Sequence, residues 1–238
     1  MTLCFVCQQW QPHSLCEDCI TAFAQPTLRC KHCAIQLDDD PSPLAAHHHI
    51  DPVCATCQNE VPALDRCIAA VDYAFPWSSC ITQLKFSDHT GLARTLSRLM
   101  QHAPWAEAAL EAADCIVPMP LSPTRLRERG FNQAYELARH WGEARIDTQS
   151  LRRLDTEAHQ VGADRAQRLH QAQSSFWLSS DAPRTLRGQR VVLVDDVMTT
   201  GATLYAAAHL LRRAGVAHLT ALVFARTLRP ALRDVQLA

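Results

Sequence analysis

Residues 191–203 constrain this chain more than any other stretch. Val191-Val192-Leu193-Val194 runs directly into Asp195-Asp196, and Val197-Met198-Thr199-Thr200-Gly201-Ala202-Thr203 follows. Four consecutive apolar residues, mostly β-branched, read as a strand buried on both faces, as in a parallel sheet. The two carboxylates then emerge where the strand ends, which is where open α/β sheets bind ligands. Residues 204–213 are an Ala/Leu-rich helix stopped by Gly215. Unpaired N–H groups at its start, the helix dipole and the hydroxyls of Thr199, Thr200 and Thr203 make a cradle for one phosphate, completed by Gly201 and Ala202. Gly201 lets the backbone turn without a Cβ in the way. Ionised carboxylates only accept hydrogen bonds, so Asp195 and Asp196 suit two neighbouring sugar hydroxyls. Together these features describe a ribose 5-phosphate site. The plain alternative is an ordinary strand-turn-helix with an acidic turn. No Gly-Lys-Ser/Thr loop and no Gly-x-Gly-x-x-Gly fingerprint occurs.

Eight of the 11 cysteines form four Cys-x-x-Cys pairs: Cys4/Cys7, Cys16/Cys19, Cys30/Cys33 and Cys54/Cys57. Two thiolates at that spacing grip one side of a tetrahedral zinc, so four pairs suit two structural Zn2+ ions. Sequential and interleaved pairing are equally legal chemically. Disulfides would require an oxidising compartment that nothing in the sequence supports, and four pairs without a surrounding βαβ pattern argue against thioredoxin-like chemistry. Cys67, Cys80 and Cys115 sit among apolar neighbours and read as inert core thiols. His47-His48-His49 reads as a solvated loop.

Composition shifts near residue 67, dividing the chain into a small Cys-rich zinc-binding domain, 1–66, and a larger α/β domain, 67–238. The first segment is too thin in apolar residues to hold without metal. Residues 1–68 carry 3 Lys+Arg against 8 Asp+Glu and residues 69–238 carry 20 against 16, so the near-neutral total hides an acidic front and a mildly basic body. Any grip on nucleic acid would come from the body. No apolar run approaches the roughly 20 residues needed to cross a bilayer, and the first residues lack a signal peptide's pattern, so a soluble, cytoplasmic protein is expected.

Residues 68–75 read as a strand closed by Pro76, and the following residues to Met100 recur at helical spacing. Lys85, between Leu84 and Phe86, is either a solvated helix position or points into the site. A second strand, Cys115-Ile116-Val117-Pro118, runs into Met119, Pro120 and a proline-rich stretch that predicts an extended loop carrying Arg125, Arg127 and Arg129, placed to receive a diphosphate, before a helix near Phe131. Residues 152–168 lack an apolar stripe and read as a flap, with Ser175-Phe176-Trp177-Leu178 returning as a strand. Strands alternating with helices predict a parallel sheet flanked by helices.

The Cys-x-x-Cys pairs, Leu84-Lys85-Phe86, Val117-Pro118-Met119-Pro120-Leu121, Arg129-Gly130-Phe131-Asn132-Gln133 and the Asp195-Asp196 loop together resemble the ComF family, including its ComFC and GntX-like DNA-utilisation members. The resemblance implies a type I phosphoribosyltransferase fold behind an N-terminal double zinc ribbon. It also implies binding of phosphoribosyl diphosphate (PRPP) with Mg2+, and a role in DNA uptake and natural transformation. Asp195, Asp196 and Arg129 would then be catalytic, and Thr199, Thr200, Gly201, Ala202, Thr203, Met119, Pro120, Arg125, Arg127, Lys85 and Arg168 would bind substrate. Gln171 stands where the family often has Asn, and the flap's own Gln is Gln160. No residue is a clear general base, which suits a nucleophilic acceptor base or a domain that binds PRPP without turnover. Implied partners are PRPP, single-stranded DNA, and an uptake helicase or other competence protein. The alternatives are thus an active transferase, a catalytically silent PRPP-sensing single-strand DNA-binding accessory protein, and a zinc-dependent adaptor.

Overall fold

The computed structural model describes residues 1–37, 51–86, 90–155 and 175–228. Its centre is a four-stranded, all-parallel sheet built from β3 (Arg66–Asp72), β4 (Cys115–Pro118), β7 (Arg190–Met198) and β8 (His218–Arg226), in the spatial order β3-β8-β7-β4. The apolar run that predicts the central strand lies inside β7, which continues past both carboxylates to Met198 because β8 keeps pairing with it as far as Arg226.

Alternating side chains divide the core into two layers. Cys67, Ala69, Val117, Val191, Leu193, Ala221 and Val223 pack beneath α9 (Ala202–Arg213), whose Ala206, Ala207 and Ala208 let the helix approach closely. Ile68, Ile116, Val192, Val194, Leu222 and Phe224 pack on the other face. That face is covered by α3 (Trp77–Phe86), α4 (Thr90–Gln101), α5 (Ala106–Glu111) and α7 (Gln133–Ala138). Trp77 and Phe224 meet edge to face at its centre, ring centroids 5.8 Å apart.

The Cys-rich segment contributes β1 (Thr2–Leu3), β2 (Trp10–Gln11), α1 (Glu17–Phe23) and α2 (Ala55–Asn59). It does not sit on one side of the sheet. Cys30, Cys33, Cys54 and Cys57 are buried in the layer under α9, whereas Cys4 and Cys19 are buried in the opposite layer. Between them, the Lys31 carbonyl accepts from the Cys67 N–H (2.7 Å), covering the outer edge of β3. Arg29 pairs with Asp72 at 2.8 Å and the Trp77 indole donates to the Phe23 carbonyl at 2.8 Å, tying both halves of the segment to the sheet.

One sequence expectation fails. The proline-rich stretch after β4 is not an extended loop through its arginines: α6 (Pro123–Arg129) forms there. Ser122 caps it by accepting from the Arg125 N–H, Pro123 occupies the first turn where its missing N–H costs nothing, and Gly130 ends it in the left-handed conformation. The next helix, α7, starts at Gln133 behind an Asn132 cap. The flap assigned to residues 152–168 falls mostly outside the described residues. What is described at its two ends is β5 (Leu151–Arg153) paired antiparallel with β6 (Phe176–Leu178). Between β6 and β7 lies α8 (Ala182–Leu186). Among the described residues, no helix is long and apolar enough to cross a membrane.

Candidate functional site

Asp195 and Asp196 lie half-buried near the carboxyl end of β7, beside the loop that leaves β4. Asp195 Oδ1 accepts from the Asp196 N–H at 2.9 Å. Lys85, in the last turn of α3, brings its Nζ to 2.9 Å from Asp196 Oδ2, so of the two readings of this lysine the structure has the one in which it points inward. Burial, and after it the adjoining Asp196, push the Asp195 carboxyl well above the usual carboxylate range, with Lys85 acting in the opposite direction. An acid pair held this way costs the fold stability and is satisfied by a cation or by hydroxyl donors.

The loop 199–203 continues from these acids. Among the described residues, no acceptor meets the backbone N–H of Thr199, Thr200 or Gly201, and the Ala202 N–H reaches only the Thr200 hydroxyl, at 3.3 Å. Thr199 and Thr200 are exposed and Ala202 and Thr203 are half-buried. Gly201 is required twice over. Its φ of +83° belongs to the left-handed region, and a Cβ there would lie 2.5 Å from Met198 Cε and 2.6 Å from the Tyr205 ring.

On the neighbouring strand, Met119 is buried, its N–H donates to the Val194 carbonyl at 2.8 Å, and Pro120 follows half-buried. Asn132 fixes this turn from below by donating to the Met119 carbonyl at 3.0 Å.

Of the three arginines expected to converge here, helical geometry separates one. Arg125 and Arg129, four residues apart, share a half-buried face of α6, whereas Arg127 is exposed and donates to Pro123 O and Thr124 Oγ1. Arg129 donates to Gln133 Oε1 at 2.8 Å. A further cation near these residues is Arg153 of β5, whose guanidinium lies over the Phe176 ring at 5.2 Å. Burial and then repulsion from Arg125 lower its pKa, and Asp195 acts against both. No periodic pattern marks Arg153 in advance, because β5 is three residues long. Arg168 lies outside the described residues, as do Gln160, Gln171 and the three consecutive histidines.

The cysteine pairs associate sequentially. The sulfurs of Cys4, Cys7, Cys16 and Cys19 lie within 4.8 Å of one another, as do those of Cys30, Cys33, Cys54 and Cys57, and each set could hold a metal ion. The two sets repeat one local design. In each upstream pair the first cysteine's carbonyl accepts from the residue just after the second, Gln8 (φ 61°) or Ala34 (φ 52°). In each downstream pair the first cysteine is the N-cap of a short helix, α1 or α2, with the second in its first turn. Backbone N–H groups donate to sulfur from Val6 to Cys4, from Cys19 to Cys16 and from Cys54 to Cys30. These donors favour thiolates, the form a metal binds. Cys67, Cys80 and Cys115 lie outside both sets, buried, and desolvation pushes their thiols up to about 12, 11 and 12.

Sequence reasoning passed over Arg226 as well as Arg153. Arg226 closes β8 after the apolar run 221–225, and its guanidinium reaches both the 198–199 carbonyls and the Cys33 carbonyl. A lone charge at the end of an otherwise apolar buried strand is the signal that could have found it.

Comparison with known proteins agrees with this layout. The family model described as a phosphoribosyl transferase domain matches residues 129–236. The chain is 31% identical to "DNA utilization protein YhgH" of Escherichia coli K12, over 95% of this chain and 97% of that protein. It is 32% identical to "Competence protein F" of Haemophilus influenzae, over 79% of this chain and 80% of that one. To "Competence protein ComFC" of Bacillus subtilis it is 38% identical, over 43% and 40%. With Cys clusters ahead of a parallel α/β sheet and full-length relatives of this kind, the chain belongs to the ComF family of competence-related proteins built on a phosphoribosyl transferase domain.

Proposed function

We propose that this protein binds PRPP at the carboxyl end of β7, acts in DNA uptake or utilisation, and transfers the phosphoribosyl group to a base or nucleotide acceptor. The observation that carries the proposal is the acid pair, with Lys85 on Asp196, set beside a loop of three unclaimed N–H groups. In that reading the 199–203 loop holds the 5-phosphate, Asp195 and Asp196 hold the ribose hydroxyls, and Arg125, Arg129 and Arg153 face the diphosphate. The carboxylates offer the hard oxygens that Mg2+ takes, and Mg2+ arriving with PRPP would supply charge neutralisation on the diphosphate. Transfer breaks the bond between ribose C1 and the diphosphate oxygen, which leaves with the electron pair, and forms a bond from the acceptor nitrogen to C1, the nitrogen's proton passing to the departing diphosphate. The protein's contribution is orientation and charge stabilisation.

In the same reading the two cysteine sets each hold one structural Zn2+, residues 1–66 are the zinc-binding unit and residues 67–238 the transferase-like unit. The sulfur-only donor sets and their N–H donors support zinc.

A second reading, a PRPP-sensing single-strand DNA-binding accessory protein, is favoured by one feature at the opposite end of the sheet. There Trp105, 56% exposed, carries the Arg66 guanidinium 4.7 Å from its ring centre, beside a cavity of about 480 Å³ lined by Lys31, Asp65, Arg66, Arg212 and His218, in which Asp51 pairs with Lys31 and Arg66 and Asp65 with Arg212 and His218. Aromatic and Arg platforms of this type suit stacked bases. Incubation of the zinc-loaded protein with PRPP, Mg2+ and a mixture of bases discriminates. Base-dependent diphosphate release is the expected outcome. Salt-sensitive oligonucleotide binding with no release would overturn the transferase and support the accessory role.

A further inference from the structure

We propose that Arg226 is a positioning residue that latches the anion loop to the second cysteine cluster, so that metal loading at Cys30, Cys33, Cys54 and Cys57 sets how firmly that loop is held and how tightly it binds a sugar phosphate. The affinity half of this proposal rests on reading the 199–203 loop as the 5-phosphate site.

Arg226 is only 7% exposed. Its Nε donates to the Cys33 carbonyl at 2.8 Å, while one terminal nitrogen donates to the carbonyls of Met198 (3.1 Å) and Thr199 and to Thr227 Oγ1 (3.0 Å). Thr227 reinforces the grip, its N–H donating to Met198 O at 3.1 Å and its hydroxyl to Thr199 O at 3.3 Å. In a trans peptide the C=O and the next N–H point in opposite directions. Drawing the carbonyls of residues 198 and 199 toward the guanidinium therefore turns the N–H groups of Thr199 and Thr200 the other way, where they meet no acceptor among the described residues. The latch thus aims the donors that an anion needs.

The same guanidinium has no carboxylate partner among the described residues. A buried cation needs a compensating charge. Four thiolates on one dication carry two net negative charges, and Cys33, whose carbonyl Arg226 holds, belongs to that set. Metal loading would fix the Cys30–Ala34 turn and, with it, the Cys33 carbonyl that the guanidinium holds. A second contact runs parallel: Tyr205, against which Gly201 is packed, is half-buried in the core layer that contains the second cysteine set, and the Met198 sulfur lies 3.5 Å from Cys67 Sγ.

The test uses the full chain in four forms: native, Arg226→Met, Cys54→Ser, and both together, with Cys7→Ser as the control for the first cluster. Two quantities are read, hydrogen exchange of the 199–203 amides and the calorimetric Kd for ribose 5-phosphate. Losing aimed N–H donors to a charged group weakens the sugar phosphate by about tenfold or more. Arg226→Met and Cys54→Ser are each expected to speed exchange in the loop and to weaken binding by that amount, and the double variant to be no worse than the worse single one. Cys7→Ser is expected to leave both nearly unchanged. Additive losses in the double variant, or an equal loss from Cys7→Ser, would overturn the latch. If Cys54→Ser does not fold, competition with a chelator gives the Zn2+ affinity of the second cluster in native and Arg226→Met protein: a weaker affinity in Arg226→Met is expected from the reciprocity of the coupling, and an equal one would overturn the latch. Failure of the native chain to bind ribose 5-phosphate would count against the site reading, while the exchange measurement still decides the latch.

Discussion

Replacing Asp195 and Asp196 together by asparagine is expected to abolish measurable PRPP binding while making the fold more stable. Each hydrogen bond to a charged group is worth about 1.5–3 kcal/mol, so losing the carboxylates on both ribose hydroxyls weakens binding by at least about a hundredfold. The opposite effect on stability follows from the environment of the pair. Asp195 is raised by burial and by Asp196, so its folded pKa exceeds its unfolded one. The native state then holds a proton that the unfolded chain releases. The associated stability is complete below the unfolded pKa and is lost as pH rises toward the folded pKa. Asparagine removes that dependence. Calorimetric titration together with thermal unfolding at pH 5 and pH 8 checks both halves: binding lost, melting temperature raised, and the gain larger at the higher pH. A double variant that binds PRPP normally, or one that is simply destabilised, would contradict this picture of the pair.

Cys57→Ser is expected to release one of two zinc ions and to destabilise the whole protein, with Cys7→Ser distinctly milder. Apparent folding contributions of structural zinc are about 10–16 kcal/mol, comparable with the roughly 5–15 kcal/mol that holds a domain together. All four sulfurs of the second set are buried in the core layer under α9, so loss of that site exposes the sheet itself. In the first set Cys7 is exposed and Cys16 half-buried, so an ion there would hold a more peripheral turn. Zinc content by mass spectrometry and denaturant midpoints measure the difference. Two zinc ions retained in Cys57→Ser, or equal midpoints for the two variants, would count against the assignment.

Local chemistry made much of this molecule legible in advance. The run 191–194, the acids and the glycine at 201 each obey a short-range rule, and β7, the site and α9 follow from them. Sequential pairing of the cysteines needed three dimensions, because tetrahedral chemistry accepts either pairing. Arg125, Arg127 and Arg129 misled because three prolines nearby suggest extended backbone, yet Ser122-Pro123 is a helix start and Gly130 a helix stop. Alternate positions that would share one side of a strand are split between faces by a helix. Arg153 and Arg226 reach the site through an electrostatic interaction with Asp195 and a hydrogen bond to Thr199, 42 and 27 positions away, and no local pattern encodes such a distance. The placement of the cysteine sets on both layers of the sheet was hidden for the same reason.

The most direct test of the central claim is an amide spectrum of the native, zinc-loaded chain titrated with PRPP and Mg2+. A 5-phosphate seated in the loop predicts saturable downfield shifts of the Thr199, Thr200 and Gly201 N–H resonances, the donors that meet no acceptor among the described residues. Saturation that leaves those three amides unmoved and shifts the Arg66 and Trp105 rim instead would contradict it.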